Sequence, residues 1–176
     1  MKIAIIGYSG SGKSTLAEKL GEKYGVPVLH LDAVHHMPGW QSRPRESEIE
    51  IVSKFLTEND GWVIDGNYKK VCYEQRLNEA DSILFLSFNR FSALNRAMKR
   101  YRKYKGQVRP DLGEGCPEKM DLQFVRWILH GGRTRKKRLH YKEVVKTYAD
   151  KITVLKTQKQ IDEYEKKLGL QNGESE

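Results

Sequence analysis

Nine residues near the amino terminus, Gly7-Tyr8-Ser9-Gly10-Ser11-Gly12-Lys13-Ser14-Thr15, constrain this chain more than any other stretch. A glycine, four free positions and then Gly-Lys-Ser is the spacing of a loop that wraps phosphate. Glycines admit backbone conformations closed to other residues and let N–H groups approach phosphate oxygens. A helix that follows turns its positive end toward the same anion. Gly7, Ser9, Gly10, Ser11, Gly12, Lys13, Ser14 and Thr15 are therefore expected to hold the phosphates of ATP. Lys13 is placed to reach the β- and γ-phosphates and Ser14 to ligate Mg²⁺.

The flanks support that reading. Ile3-Ala4-Ile5-Ile6 is an unbroken apolar run, as expected of a strand buried on both faces. Beyond the loop, Leu16, Ala17 and Leu20 share one helical face while Glu18, Lys19, Glu22 and Lys23 face elsewhere. Strand, glycine loop and helix is the context the motif requires.

Further along, Gly25 and Pro27 close the first helix, and Pro27 to Leu31 reads as a second strand with Asp32 at its end, where α/β sheets place ligand-binding groups. Asp32 has two open roles, a cap for the next helix or a group that orients or deprotonates an acceptor hydroxyl. Ala33 to Arg45, with Pro38, Gly39 and Pro44, reads as a loop or broken helix. His35 and His36 lie in it, but with Asp32 they lack the further ligand spacing of a metal centre. Glu46 to Glu58 places Ile49, Val52, Phe55 and Leu56 on a helical stripe. Trp62-Val63-Ile64 is a third buried strand. Asp65 at its end stands where a carboxylate holds the Mg²⁺ shell beside Ser14. A short helix is expected over Tyr68 to Leu77, a fourth strand over Ser82 to Leu86, a helix over Ala93 to Tyr104, a loop over 107–117, a fifth strand over Lys151 to Leu155, then an amphipathic helix through Ile161, Tyr164 and Leu168. Alternating strands and helices argue an α/β fold, with a five-stranded, mostly parallel sheet covered on both faces, in one domain over 1–170 with a loose tail at 171–176.

Charge is concentrated. The 176 residues carry 32 Lys and Arg against 23 Asp and Glu, a net +9. From Arg90 to Lys142 alone there are 16 basic residues against four acidic ones. That surplus favours an anionic partner. No apolar run is long enough to span a membrane. Two cysteines without ligand spacing, and a start directly in a strand, point to the reducing cytoplasm.

The early glycine loop, the strand ending Ile64-Asp65-Gly66 and the paired Arg96 and Arg100 resemble the nucleoside monophosphate kinases, adenylate kinase among them. More closely, Leu31-Asp32-Ala33, Pro38-Gly39-Trp40, Trp62 to Tyr68 and Glu114 to Lys119 resemble the bacterial DNA topology modulation proteins, an adenylate-kinase-like group, over nearly the whole chain to about Leu168. The resemblance implies a three-layer α/β/α fold with an arginine-rich lid, here about residues 105–138, in which Arg126, Arg133, Arg135 and Arg138 occupy the corresponding region. In adenylate kinases the third strand continues as Asp-Gly, an aromatic residue and Pro-Arg, the arginine binding substrate phosphate. Here Asn67-Tyr68-Lys69-Lys70 follows, and Arg76 is the candidate replacement.

The leading expectation is ATP-dependent phosphoryl transfer to a small acceptor, a nucleotide or nucleoside. Lys13, Arg96, Arg100, Arg133 and Arg138 would neutralise the transferring group, with Asp32 at the acceptor. Two rivals use the same residues differently: an ATP-binding regulator without transfer, and a DNA-binding protein in which Tyr101, Tyr104 and Trp127 stack on bases. Trp40 and Trp127 could line the acceptor pocket or belong to the core.

Overall fold

The computed structural model describes residues 1–109 and 111–170; Pro110, within the expected 107–117 loop, and the expected tail at 171–176 lie outside the described residues. In chain order, β1 (Lys2–Gly7) passes through the glycine loop into α1 (Lys13–Tyr24), and β2 (Val28–His30) runs directly into α2 (Leu31–His35). A small antiparallel hairpin of β3 (His36–Met37) and β4 (Gln41–Ser42) follows. Then come α3 (Arg45–Glu58), β5 (Trp62–Asp65), α4 (Tyr73–Glu79), β6 (Ser82–Leu86), α5 (Arg90–Tyr104), α6 (Leu122–Leu129), α7 (Arg135–Thr147), β7 (Ile152–Leu155) and α8 (Gln158–Lys167).

The main sheet has the order β2-β5-β1-β6-β7, and every pairing in it is parallel. Because β1 lies at its centre, its alternating side chains feed two separate cores. Ile3 and Ile5 pack with Leu16, Ala17 and Leu20 of α1 and Ile161 of α8. Ala4 and Ile6 pack with Val52 and Leu56 of α3, Leu77 of α4 and Tyr141 and Val144 of α7. Helices thus cover both faces, giving the expected three-layer α/β/α fold. Ala93 and Ala97 of α5 make a third, smaller cluster with Ile128 of α6. Among the described residues no helix is long and apolar enough to cross a membrane.

Several boundaries differ from the sequence reading. The second strand ends at His30, so Asp32 falls inside the first turn of α2 and does not cap it. On α3, Ile49 is 38% exposed and Glu48 takes the buried position instead, because its carboxylate meets His35 Nδ1 at 2.5 Å. The helix expected from Tyr68 starts only at Tyr73. Arg76 explains that delay. Its wholly buried guanidinium donates to the carbonyls of Val71 at 3.2 Å, Gly66 at 3.4 Å and Tyr68 at 3.1 Å, which holds residues 66–71 as a loop. Arg76 is therefore a structural clamp and does not replace the missing phosphate-binding arginine. Burial brings its pKa down to about 10.

Replacing Arg76 with Met strips three buried carbonyls of their donor, and each such loss costs about 1–3 kcal/mol. Urea denaturation of Arg76→Met should show a loss of about 3 kcal/mol or more in stability.

Candidate functional site

The glycine loop sits at the carboxyl edge of the sheet, where β1 is flanked by β5 and β6 and ligand crevices of such sheets open. Two close approaches explain its glycines. A Cβ on Gly10 would lie 2.4 Å from the Ala93 carbonyl oxygen, and one on Gly12 would lie 2.3 Å from the Arg96 guanidinium. Both residues have positive φ, 76° and 91°. Helix α1 starts from Gly12 with no side-chain cap, so its first N–H groups face the loop without an intrahelical acceptor.

The loop residues divide by role. Gly7 is pinned from outside, its N–H donating to Asn67 Oδ1 at 2.9 Å while Asn67 Nδ2 donates to its carbonyl at 2.6 Å. Ser11 is fully buried and donates to the Tyr8 carbonyl at 2.7 Å, so its hydroxyl shapes the loop. Neither lines the cleft. Ser9, Gly10, Gly12, Lys13, Ser14 and Thr15 all do. The Lys13 ammonium rests on the Tyr8 carbonyl at 3.2 Å. Burial lowers its pKa, opposed by the charges of Asp32 first and Asp65 second.

Asp65 is the best-supported carboxylate of the site. It is the last residue of β5 and is 5% exposed. Ser14 Oγ donates to its Oδ2 at 3.0 Å, and His30 Nδ1 lies 2.5 Å from its Oδ1. The other ring nitrogen of His30 lies 2.5 Å from Glu18 Oε1. Burial alone would lower the His30 pKa, but hydrogen bonds and charge from Asp65, then Glu18, outweigh it and raise it to about 9. The imidazolium thus donates to both acids. Ser14 and Asp65 together offer hard oxygen ligands of the kind Mg²⁺ takes. Among the described residues no group of three or more His, Cys, Asp and Glu is placed to hold a metal, the His35, His36 and Asp32 set included.

A cleft of about 1360 Å³ is lined by the loop, by Asp32 and by Trp40. Arg96 and Arg100, one turn apart on α5, both line it. Arg96 lies against Gly12, donates to Gln158 and keeps a buried Nε with no partner. Arg100 shares the buried carboxylate of Glu118, at 3.0 Å, with Arg109, at 2.5 Å, and Arg109 also pairs with Asp111 at 2.7 Å. Tyr68, which also lines the cleft, donates to Asp32 Oδ1 at 2.7 Å. Trp127 lines the cleft, 45% exposed, and donates to Ser9 Oγ at 3.2 Å. Lys137 stands over its ring at 3.5 Å.

Two expected arginines are placed elsewhere. Arg133 donates to the carbonyls of Ile128 and Phe88 at 3.0 and 2.8 Å and stacks on Tyr8 at 3.9 Å, which anchors α6 and its following turn beneath the loop. Arg138, like Arg135, is exposed on α7, and neither lines the cleft. Sequence reasoning missed His30, Asn67 and the Glu118–Arg109 pair. His30 could be found only through the register that sets it opposite Asp65 across β2 and β5.

No family model matches the chain. A crystal structure of an uncharacterized protein from Eubacterium ventriosum ATCC 27560 is similar, with 20% identity, a TM-score of 0.50, and coverage of 97% of this chain and 100% of that one. At that identity the likeness shows the fold alone.

The raised His30 pKa has a definite sign. A base whose folded pKa lies above its unfolded value of about 6.5 stabilises the fold fully below that value. The contribution disappears as pH rises through about 9. Denaturation of wild type and His30→Gln at pH 6.5 and 9.5 should therefore show the wild-type advantage shrinking at the higher pH.

Proposed function

We propose that this chain is an ATP-dependent phosphotransferase of adenylate-kinase-like type that moves the γ-phosphoryl group to a small acceptor of nucleotide or nucleoside class. The observation that carries the reading is that Lys13 and Ser14, the latter bonded to Asp65, line the same cleft as Asp32. Its volume, about 1360 Å³, exceeds the roughly 300–1,000 Å³ of a single-ligand pocket, which suits two substrates together.

Phosphoryl transfer asks a protein mainly for position and charge neutralisation. The free N–H groups of the loop and of α1 bind the ATP phosphates. Lys13 holds the γ-phosphate end, exchanging its contact with the Tyr8 carbonyl for a phosphate oxygen. Arg96, with an unpartnered Nε beside Gly12, neutralises charge that develops during transfer. Ser14 and Asp65 would hold Mg²⁺, which would supply charge neutralisation to the phosphates. Both cysteines, Cys72 and Cys116, are free thiols, which suits a reducing cytoplasmic setting.

The test is ADP formation from ATP and Mg²⁺ against a panel of nucleosides and nucleoside monophosphates. Acceptor-dependent turnover is expected, with Lys13→Ala lowering it by about 10²- to 10³-fold, as for loss of one well-placed charge donor. Turnover of Lys13→Ala at the wild-type rate, or no acceptor-dependent ADP at all, would contradict the proposal.

A further inference from the structure

Of the basic residues between Arg133 and Arg138, Lys137 alone lines the cleft. Local structure puts it there. Thr134 caps α7, its Oγ1 accepting from the Lys137 N–H at 3.4 Å, so Lys137 falls in the first turn of the helix. Gly131 and Gly132 let the preceding turn close on Trp127. A Cβ on Gly131 would stand 3.1 Å from the indole ring, and one on Gly132 3.0 Å from the Trp127 carbonyl oxygen. The Lys137 ammonium lies over that indole, 3.5 Å from the ring centroid, and donates to the Gly131 carbonyl at 2.8 Å.

Contacts tie this lysine to the glycine loop. Trp127 Nε1 donates to Ser9 Oγ at 3.2 Å, and Arg133 stacks on Tyr8 at 3.9 Å, so consecutive loop residues hold the turn between α6 and α7. The Lys13 ammonium rests on the carbonyl of the same Tyr8, at 3.2 Å, and Lys13 is the loop residue that reaches the β- and γ-phosphates. The indole and its lysine are therefore fastened at the part of the loop where the terminal phosphate of ATP would lie.

Lys137 is also available. Among the described residues no carboxylate pairs with it, and its charged neighbour is Lys69, another cation of the cleft. Trp127 is 45% exposed, and a ring face at an exposed site holds an ammonium only modestly. A phosphate oxygen offers a charge-assisted bond instead, and the flexible four-carbon stem lets the ammonium turn to it without moving the helix. Lys69, Lys99 and Arg126 line the same cleft, exposed. Among the described residues, however, no hydrogen bond, ion pair or ring contact of their side chains reaches the loop.

We infer that Lys137 is a ligand of the terminal phosphate of ATP bound at the glycine loop, with Trp127 as its positioning residue; this rests on the phosphotransferase reading above, which assigns the loop to ATP. When ATP binds, the ammonium turns from the indole and the Gly131 carbonyl to a γ-phosphate oxygen. ADP lacks that oxygen and leaves the lysine on the ring. Lys137 thus tells the two nucleotides apart, and Trp127 reports the difference.

The test is equilibrium titration of the whole chain, with Mg²⁺, using ADP and the β,γ-imido analogue of ATP, which keeps a terminal phosphate and is not hydrolysed. The wild type should bind the analogue more tightly than ADP. Lys137→Met should lower that ratio about tenfold or more, as for loss of a charge-assisted bond, with ADP affinity unchanged as the sign of an intact fold. Lys137→Arg should restore most of the ratio, Trp127→Phe should lower it less than Lys137→Met does, and Lys99→Met should leave it as it was. Tryptophan emission should change with the analogue more than with ADP, and that difference should vanish in Trp127→Phe. A ratio unmoved in Lys137→Met, an equal fall in Lys99→Met, the same emission change with both nucleotides, or a wild type that binds neither overturns the inference. Acceptor-dependent ADP formation, measured alongside, separates the two readings. A ratio that depends on Lys137 without such turnover counts against transfer alone, and an unmoved ratio with turnover intact counts against Lys137 alone.

Discussion

The placement of the Asp65 carboxylate is the constraint on which the rest of the cleft depends. A buried carboxylate is tolerated only when it is paired and hydrogen-bonded. Here His30 supplies a cation from the adjacent strand and Ser14 a hydroxyl from the first turn of α1. The same two bonds tie β5, β2 and α1 to one point. Asn67, two residues later, then pins Gly7 and fixes the start of the glycine loop. The loop is therefore set by long-range contacts as much as by its own glycines.

Charge is distributed along the cleft by pairing as well as by composition. The surplus of +9 suggests a uniformly cationic cavity, yet Glu118, Asp111 and Asp121 pair with the lining cations Arg100, Arg109 and Lys119. Arg96 escapes that pairing because Gly12 leaves room for its guanidinium against the backbone.

The layers and most elements were legible in the sequence, since Ile3 to Ile6 and Trp62 to Ile64 are continuous apolar runs and the loop has a fixed spacing. Strand register was not, and it is register that opposes His30 to Asp65. Long side chains were the other blind spot. Arg76, Arg133 and Arg138 look alike in a basic sequence. Which one is buried on carbonyls, which anchors a turn and which faces outward is decided by tertiary packing. Asp32 was legible as a residue near a strand end, but its partner Tyr68 comes from a loop shaped by the buried Arg76 and by Asn67.

The most direct measurement of the central claim, that the strand–loop–helix unit is a polyphosphate site completed by Ser14 and Asp65, is an equilibrium titration with ATP, with and without Mg²⁺. One ATP per chain is predicted, bound more tightly with Mg²⁺. Lys13→Ala should weaken binding in both conditions, and Asp65→Asn should abolish the Mg²⁺ enhancement while leaving metal-free binding in place. Failure of the wild type to bind ATP, or binding that neither substitution alters, would contradict the account.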